Sequence, residues 1–238
     1  GVDTLATPVG DFTGNIDVSG NAVERCGEGR LSVVLIDRRD IGGDMHAFLK
    51  IVDGDTSATM WEQDVGSADP VKAGAVILDV DEDGDLEVVI AYDTNGIMSV
   101  ELWAPDIICD ETGWKPGGGH TTERMWRYTH PSLSMGADGP YDGNSVGNHH
   151  PTAQPLLADL ELDGTPELVL ALFDDANDDP YVLALPLPMS GTPSPLWEVQ
   201  LSKGTHASDP AWVQLDSVNT AVMLTTIDYD SGSMWVWR

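Results

Sequence analysis

The sequence predicts an all-β fold: a β-propeller built from four-stranded antiparallel blades in tandem. Three observations lead there. Short runs alternate apolar and polar residues with period two and favour β-branched side chains, and no 3.6-residue pattern competes. Clusters of Gly, Asn and Asp punctuate the runs as turns. The same succession of run, turn, run and Trp-bearing run comes round again along the chain, which is how tandem four-stranded units read in a sequence.

The first unit, near 1–66, opens on Val9-Gly10-Asp11-Phe12-Thr13-Gly14-Asn15 and a run ending in Ile36-Asp37. The turn Asp40-Ile41-Gly42-Gly43 follows, then Ala47–Val52, then Met60-Trp61-Glu62. The second unit, near 67–130, starts after Asp69-Pro70 and runs to Tyr92-Asp93, turns at Thr94-Asn95-Gly96, and continues through Met98–Trp103 to Met125-Trp126-Arg127. The third, near 131–202, follows His150-Pro151. It has Phe173-Asp174, the acidic turn Asp175–Pro180, the run Tyr181–Leu185 and Leu196-Trp197-Glu198. The fourth, near 203–238, follows Asp209-Pro210 and reaches Ile227-Asp228, the turn Tyr229-Asp230-Ser231-Gly232, and Met234-Trp235-Val236-Trp237. It lacks a Trp-bearing outer run, so the last blade is expected to be incomplete. Four blades with an odd seam, a larger ring, and a dimer that covers the open edges all satisfy this, since exposed edges invite pairing. Trp61, Trp126 and Trp197 recur at one place in the unit and are expected to pack between blades.

The second unit also holds the most distinctive chemistry. In Asp79-Val80-Asp81-Glu82-Asp83-Gly84-Asp85-Leu86-Glu87, carboxylates alternate, a glycine follows, and Glu87 opens the apolar run Val88-Val89-Ile90-Ala91. Calcium takes six to eight oxygen ligands, and a tight loop with acids at positions 1, 3 and 5 and a glycine at the bend turns several of them inward. An EF-hand would end in a glutamate at position 12 between helices, whereas here the last acid stands at position 9 and starts a strand. The pattern returns as Asp159-Leu160-Glu161-Leu162-Asp163-Gly164-Thr165-Pro166-Glu167, at the same offsets. The first and fourth units keep only the leading Asp11 and Asp216. An acidic β-turn without metal is the plain alternative.

This repeated Asp-x-Asp-x-Asp-Gly-x-x-Glu followed by Val-Val-Ile-Ala resembles the FG-GAP/VCBS repeats of calcium-binding propellers, such as integrin α-chain heads. The resemblance implies two Ca²⁺ sites, with ligands at positions 1, 3, 5 and 9 and the backbone carbonyl of position 7. These are Asp79, Asp81, Asp83, Asp85 and Glu87 in one loop, and Asp159, Glu161, Asp163, Thr165 and Glu167 in the other. Glu161 replaces the more usual Asp or Asn, and glutamate fills position 9 in both loops, which puts the strength of the second site in doubt. A second likeness, to PQQ-type propeller repeats, rests on Val52–Trp61 alone and supports blade geometry rather than a quinone.

Composition narrows the partners. Apolar residues make up 41% of 238 residues, enough for a core. Only 11 Lys and Arg stand against 40 Asp and Glu, a net charge of −29. Nucleic acid is therefore not expected, because its phosphates demand basic contacts. A membrane span is not expected either, since no run of about 18 apolar residues occurs. Divalent cations or a saline medium would relieve the self-repulsion of such a surface. The chain starts without Met and without a basic, apolar leader, which reads as a mature or trimmed product. Cys26 and Cys109 form no metal-spaced pair; one disulfide in a secreted chain is expected, two buried thiols being the alternative.

Two long insertions, 105–122 and 130–150, contain the candidates for ligand contact: Trp114 and Tyr141 for stacking on a sugar or gripping a partner. His149, His150 and His206, with Asp69, make a candidate loop-face site for a transition metal or a general base. Their spacing matches no metal signature, and surface histidines in turns are the plain alternative. The resulting expectation is a secreted or cell-surface calcium-binding propeller, more a binding module than an enzyme, engaged in adhesion or assembly with a protein or glycan. It can also self-associate through the open edge of the last blade. A polysaccharide lyase-like enzyme on a calcium propeller, or a structural subunit of a surface filament, is the alternative.

Overall fold

The computed structural model of the chain describes residues 9–10, 14–16, 22–24, 32–67, 69–80, 86–94, 96–105, 107, 109–110, 113–114, 123–134, 155–174, 177, 179–188, 190–201, 206–207, 210–214, 220–228 and 231–237. Every element among them is a strand. No helix among the described residues is long and apolar enough to cross a membrane.

Three sheets have four strands each, in antiparallel order, and each is drawn from one continuous stretch of sequence. The first runs Val9–Gly10, Ser32–Ile41, Asp44–Asp53, Thr59–Ser67. The second runs Asp69–Leu78, Glu87–Thr94, Ile97–Ala104, Glu123–Thr129. The third runs Leu156–Ala158, Glu167–Asp174, Asp179–Pro186, Trp197–Gln200. In the fourth, His206–Ala207 and Ala211–Gln214 both pair with Thr220–Asp228, whose other edge takes Ser231–Trp237. Two short hairpins stand apart, Gly14–Ile16 with Ala22–Glu24 and Cys109–Asp110 with Gly113–Trp114. The second of these lies inside the 105–122 insertion.

Asp side chains close several of the turns that make these ladders. Asp40 accepts from the Gly43 N–H at 2.7 Å, Asp93 from the Gly96 N–H at 2.6 Å, and Asp174 from the Asn177 side-chain amide at 2.7 Å. Asp53 binds the N–H of both Asp55 and Thr56. Part of the acidity of the chain is thus spent on holding turns, where short acidic side chains substitute for backbone acceptors.

Consecutive sheets pack face to face. Val34, Leu49, Ile51 and Trp61 of the first meet Val88, Ile90, Tyr92 and Trp103 of the second. The opposite face of the second, with Val89, Ala91, Val100 and Leu102, meets Leu168, Leu170, Leu172 and Leu183 of the third. Val169 and Val182 on the third sheet's far side join Val222 of the fourth. Because successive side chains point to opposite faces, strands sandwiched in this way are apolar throughout, and Glu87–Thr94 is buried over seven consecutive residues. Among the described residues no hydrophobic cluster joins the first sheet to the fourth. The structure therefore shows an all-β stack of antiparallel sheets.

The three repeated tryptophans sit in these seams. Trp61 is buried with its ring centroid 6.4 Å from that of Trp103 across the first and second sheets. Trp126 is buried and donates its indole N–H to the Pro188 carbonyl at 2.8 Å, reaching the chain just past the third strand of the third sheet. Trp197 is half-buried against the cluster shared by the third and fourth sheets.

Candidate functional site

Both acidic loops occupy the same place, between the first and second strands of their sheets. In the first, Asp79, Val80, Leu86 and Glu87 are described; Asp81, Asp83 and Asp85 lie outside the described residues. The second is described throughout.

The second loop folds because its own carboxylates collect its backbone N–H groups. Asp159 Oδ1 accepts from the Asp163 N–H and Oδ2 from the Gly164 N–H, each at 3.0 Å. Asp163 Oδ1 accepts from the Thr165 N–H at 2.8 Å. The bend this demands puts Leu162 and Gly164 at φ +56° and +91°. Glycine takes that conformation without steric cost, which explains the residue at position 6. Glu161, Asp163 and Thr165 remain exposed, while Asp159 is half-buried.

Position 9 behaves identically in the two loops. Glu87 and Glu167 are both buried at 4% exposure. Glu87 Oε2 accepts from the Val80 N–H at 2.8 Å, and Glu167 Oε2 from the Leu160 N–H at 2.7 Å. Each carboxylate straps the first residue of the next strand to position 2 of its loop. Burial pushes the Glu167 carboxyl above the usual range; the Leu160 N–H opposes this, and Asp163, Asp159 and Glu161 push it further up. A buried carboxylate crowded by three others is a group that a cation would relieve.

The donors are all hard oxygens, which suits Ca²⁺ rather than a softer metal. Asp159 accepts one N–H on each oxygen, leaving further lone pairs on both. Among the described residues, however, no three His, Cys, Asp or Glu side chains are grouped as a metal would group them. Glu161 and Asp163 are exposed. The donor chemistry fits a calcium ion, and the loop frame is already held by its own hydrogen bonds.

The other sequence candidates are not brought together. Tyr141, His149, His150 and Cys26 lie outside the described residues, and only the backbones of His206, Cys109 and Trp114 are described. Cys109 is the cross-strand partner of Trp114 in the hairpin of the insertion, and His206 pairs with Ile227.

Two polar constellations were not anticipated from the sequence. Glu101, 1% exposed, lies between the first and second sheets. Its carboxylate accepts from the Tyr92 hydroxyl, the Trp103 indole N–H and Arg124, each at 3.0 Å, with Arg127 at 3.6 Å. Burial, then the Glu101 charge, drives the Tyr92 phenol far above its ordinary value. The signal was a lone acid in an apolar run, facing Arg127 in the ladder of the next strand. The second is His130, 4% exposed, whose Nδ1 accepts from the N–H groups of Ser132 and Leu133 at 3.1 and 2.8 Å. These two donors fix the proton on Nε2, which donates to Glu198 on the third sheet at 2.9 Å. The chain bends at Pro131-Ser132, and the His130 ring acts there as a buried clamp.

No protein-family model matches the chain, and no curated protein matches it.

Proposed function

We propose that this chain is a secreted or cell-surface β-propeller whose two acidic loops bind Ca²⁺ as structural clips, and whose role is adhesion, ligand binding or assembly with a protein or glycan. The observation that carries this reading is the equivalence of the two loops. At the same offsets, 80 residues apart, a buried glutamate straps the backbone of position 2, and in the fully described loop the remaining acids crowd that glutamate. The face-to-face succession of antiparallel sheets supports the propeller architecture. Metal held here braces the connection between the first two strands of a sheet and takes no part in chemistry. Ligand contact is assigned to the insertions 105–122 and 130–150.

Calorimetric titration with Ca²⁺ and melting in calcium against EDTA test the loops. A ligand at one hundred times its Kd adds about 2.7 kcal/mol per site, and in a chain of this size each kcal/mol moves the melting temperature by roughly 2–4 °C. Calcium is expected to raise it by several degrees. Absence of binding heat at millimolar Ca²⁺, with an unchanged melting curve, would sink the calcium assignment. Glycan-array screening tests the binding role separately.

A further inference from the structure

Glu101 is held by more partners than one buried acid needs. Its carboxylate, 1% exposed, accepts from the Tyr92 hydroxyl and the Trp103 indole N–H at 3.0 Å each. One guanidinium balances its charge, and Arg124 Nη1 donates to it at 3.0 Å. Arg127 is a second, with Nε 3.6 Å from the same oxygen and Nη2 donating to Ser99 Oγ at 3.2 Å. Two positive charges thus face one negative charge, in a chain of net charge −29. Among the described residues, Glu101 is the one carboxylate paired with either arginine.

The surplus charge is on display. The Arg124 and Arg127 side chains are 46% and 40% exposed. Both belong to the strand Glu123–Thr129, and the bulge between Arg124 and Trp126 brings them to the one face that carries Glu101. Each also lies over a ring fixed in the seam. Arg124 Cζ is 5.8 Å from the Trp103 ring centre, and Arg127 Cζ is 5.9 Å from that of Tyr92. A guanidinium braced by a buried carboxylate and an aromatic ring loses little freedom when it takes a ligand. Each keeps N–H donors that these bonds do not use, in the fork geometry that matches a carboxylate.

The place of the pair in the chain bears on the ligand. Their strand joins the two insertions to which ligand contact is assigned: 105–122 runs into Glu123, and 130–150 follows Thr129. The first insertion contains Trp114, the candidate for stacking on a sugar. A polyanion would be repelled by the chain as a whole, so a ligand with a single carboxylate suits one surplus charge better. We propose that Arg124 and Arg127 bind the carboxylate of a small acidic sugar, with Glu101 as the buried post that positions them. This deepens the glycan-binding part of the function proposed above and rests on it, but it does not need the loops to bind calcium.

Titration of the whole chain with galacturonate, in EDTA so that no carboxylate is captured through calcium at the loops, tests this. Galactose is the neutral control and sulfate the control for anions in general. Galacturonate is expected to bind with a Kd on the order of millimolar, and galactose and sulfate at least about tenfold more weakly. Arg124→Gln and Arg127→Gln should each weaken galacturonate about tenfold or more, since a charge-assisted bond is lost. No galacturonate binding at about 10 mM, equal binding of galactose or of sulfate, or affinity indifferent to both substitutions overturns the proposal. Should either variant misfold, the arginine Nε–H resonances of the unaltered chain decide: two of them should shift with galacturonate and stay in place with galactose, and no shift with either sugar overturns the site. Calcium calorimetry on the same samples separates the two readings. A chain that binds galacturonate but no calcium refutes only the loops, and one that binds calcium but no galacturonate refutes only the arginine site.

Discussion

The first and second sheets share a strand order yet differ in what their faces meet. The second is apolar on both sides, with Val88, Ile90 and Tyr92 toward the first sheet and Val89 and Ala91 toward the third, all at 0% exposure. The first is wholly apolar only toward the second, and its other face mixes apolar with charged residues. Its far face alternates Val33, Leu35, Asp37 and Arg39 along one strand with His46, Phe48 and Lys50 on the next, and adds Glu62 and Asp64. There Lys50 donates to Asp37 at 2.6 Å, Arg39 Nη1 to Glu62 at 2.8 Å, and the Arg39 guanidinium lies 4.2 Å from the Phe48 ring centre. His46 Nδ1 lies 3.0 Å from both oxygens of Asp64. A face that meets another sheet is built from shape and apolar area, whereas a face closed by ion pairs tolerates water. Most of the stability therefore lies in the interior seams and little on that far face.

The largest expected effect tests this directly. Leu170→Ala, at a fully buried position between the second and third sheets, should cost about 3 kcal/mol, from lost transfer energy and the cavity left behind. Leu35→Ala, half-buried on the far face, should cost about 1 kcal/mol, by the smaller area it removes from contact. Denaturant midpoints at constant slope measure both. Equal losses would mean that the far face of the first sheet is as tightly covered as the interior, as a closed ring requires.

Next in size is Glu101→Ala. The substitution strands the Tyr92 hydroxyl and Trp103 indole N–H in an apolar seam and takes the counter-charge from Arg124 and Arg127. Breaking a fully buried ion pair costs about 3–5 kcal/mol. Arg124 and Arg127 are 46% and 40% exposed and can turn to water, so about 2 kcal/mol is expected by chemical denaturation. Arg124→Ala should cost less, because the Tyr92 and Trp103 donors still bind the carboxylate and Arg127 still supplies a positive charge. A larger loss from Arg124→Ala would show that the arginine, rather than the buried acid, organises the seam.

How much of this could be read in the sequence depends on the range of the interaction. Strands and turns are local, so the period-two runs and Asp-Gly punctuation located the ladders. The Trp-bearing runs did prove to be fourth strands, because a large flat side chain at a repeated place fits a repeated seam. The glycine bend of the loop was legible for the same reason, whereas the straps that Asp159 and Glu167 make to backbone N–H groups were not, because the pattern of acids reads the same whether they hold backbone or metal. Glu101 with Arg124, and His130 with Glu198 across 68 residues, were not legible. Their meaning depends on which strands adjoin, and an acid or a histidine has the same letter whether buried or exposed. The polar far face of the first sheet was not legible either, because alternation says which residues share a face, not what that face meets.

A smaller effect of opposite signs separates the loop's strap from its cation. The Glu167 carboxyl is raised by burial and by neighbouring acids, so its charged form is disfavoured in the metal-free fold. That penalty is present at neutral pH and fades as pH falls through the raised value toward the ordinary carboxyl range. Glu167→Gln keeps an oxygen for the Leu160 N–H and removes the charge. In EDTA at neutral pH it should therefore stabilise slightly, by under about 1 kcal/mol, and flatten that part of the pH profile. In calcium the proposed clip predicts a lower melting temperature, since one charge of the proposed ligand set is gone. Destabilisation in both media would make Glu167 a strap alone.

The smallest effect belongs on the polar face. Arg39 holds the Glu62 carboxyl below its usual range, against the cost of burial and with help from Lys50. That stabilisation is present above the ordinary carboxyl pKa and is lost as pH falls through the depressed value. Glu62 is about a third exposed, at 31%, so solvent screens the pair, and Glu62→Gln should cost under about 0.5 kcal/mol. High salt should shrink even that difference, while leaving the cost of Leu170→Ala unchanged, because screening acts on charges at a wet surface and not on packed apolar area. A Glu62→Gln loss above about 1 kcal/mol that resists salt would place the ion pairs in a dry interface, and the first sheet would then resemble the second on both its faces.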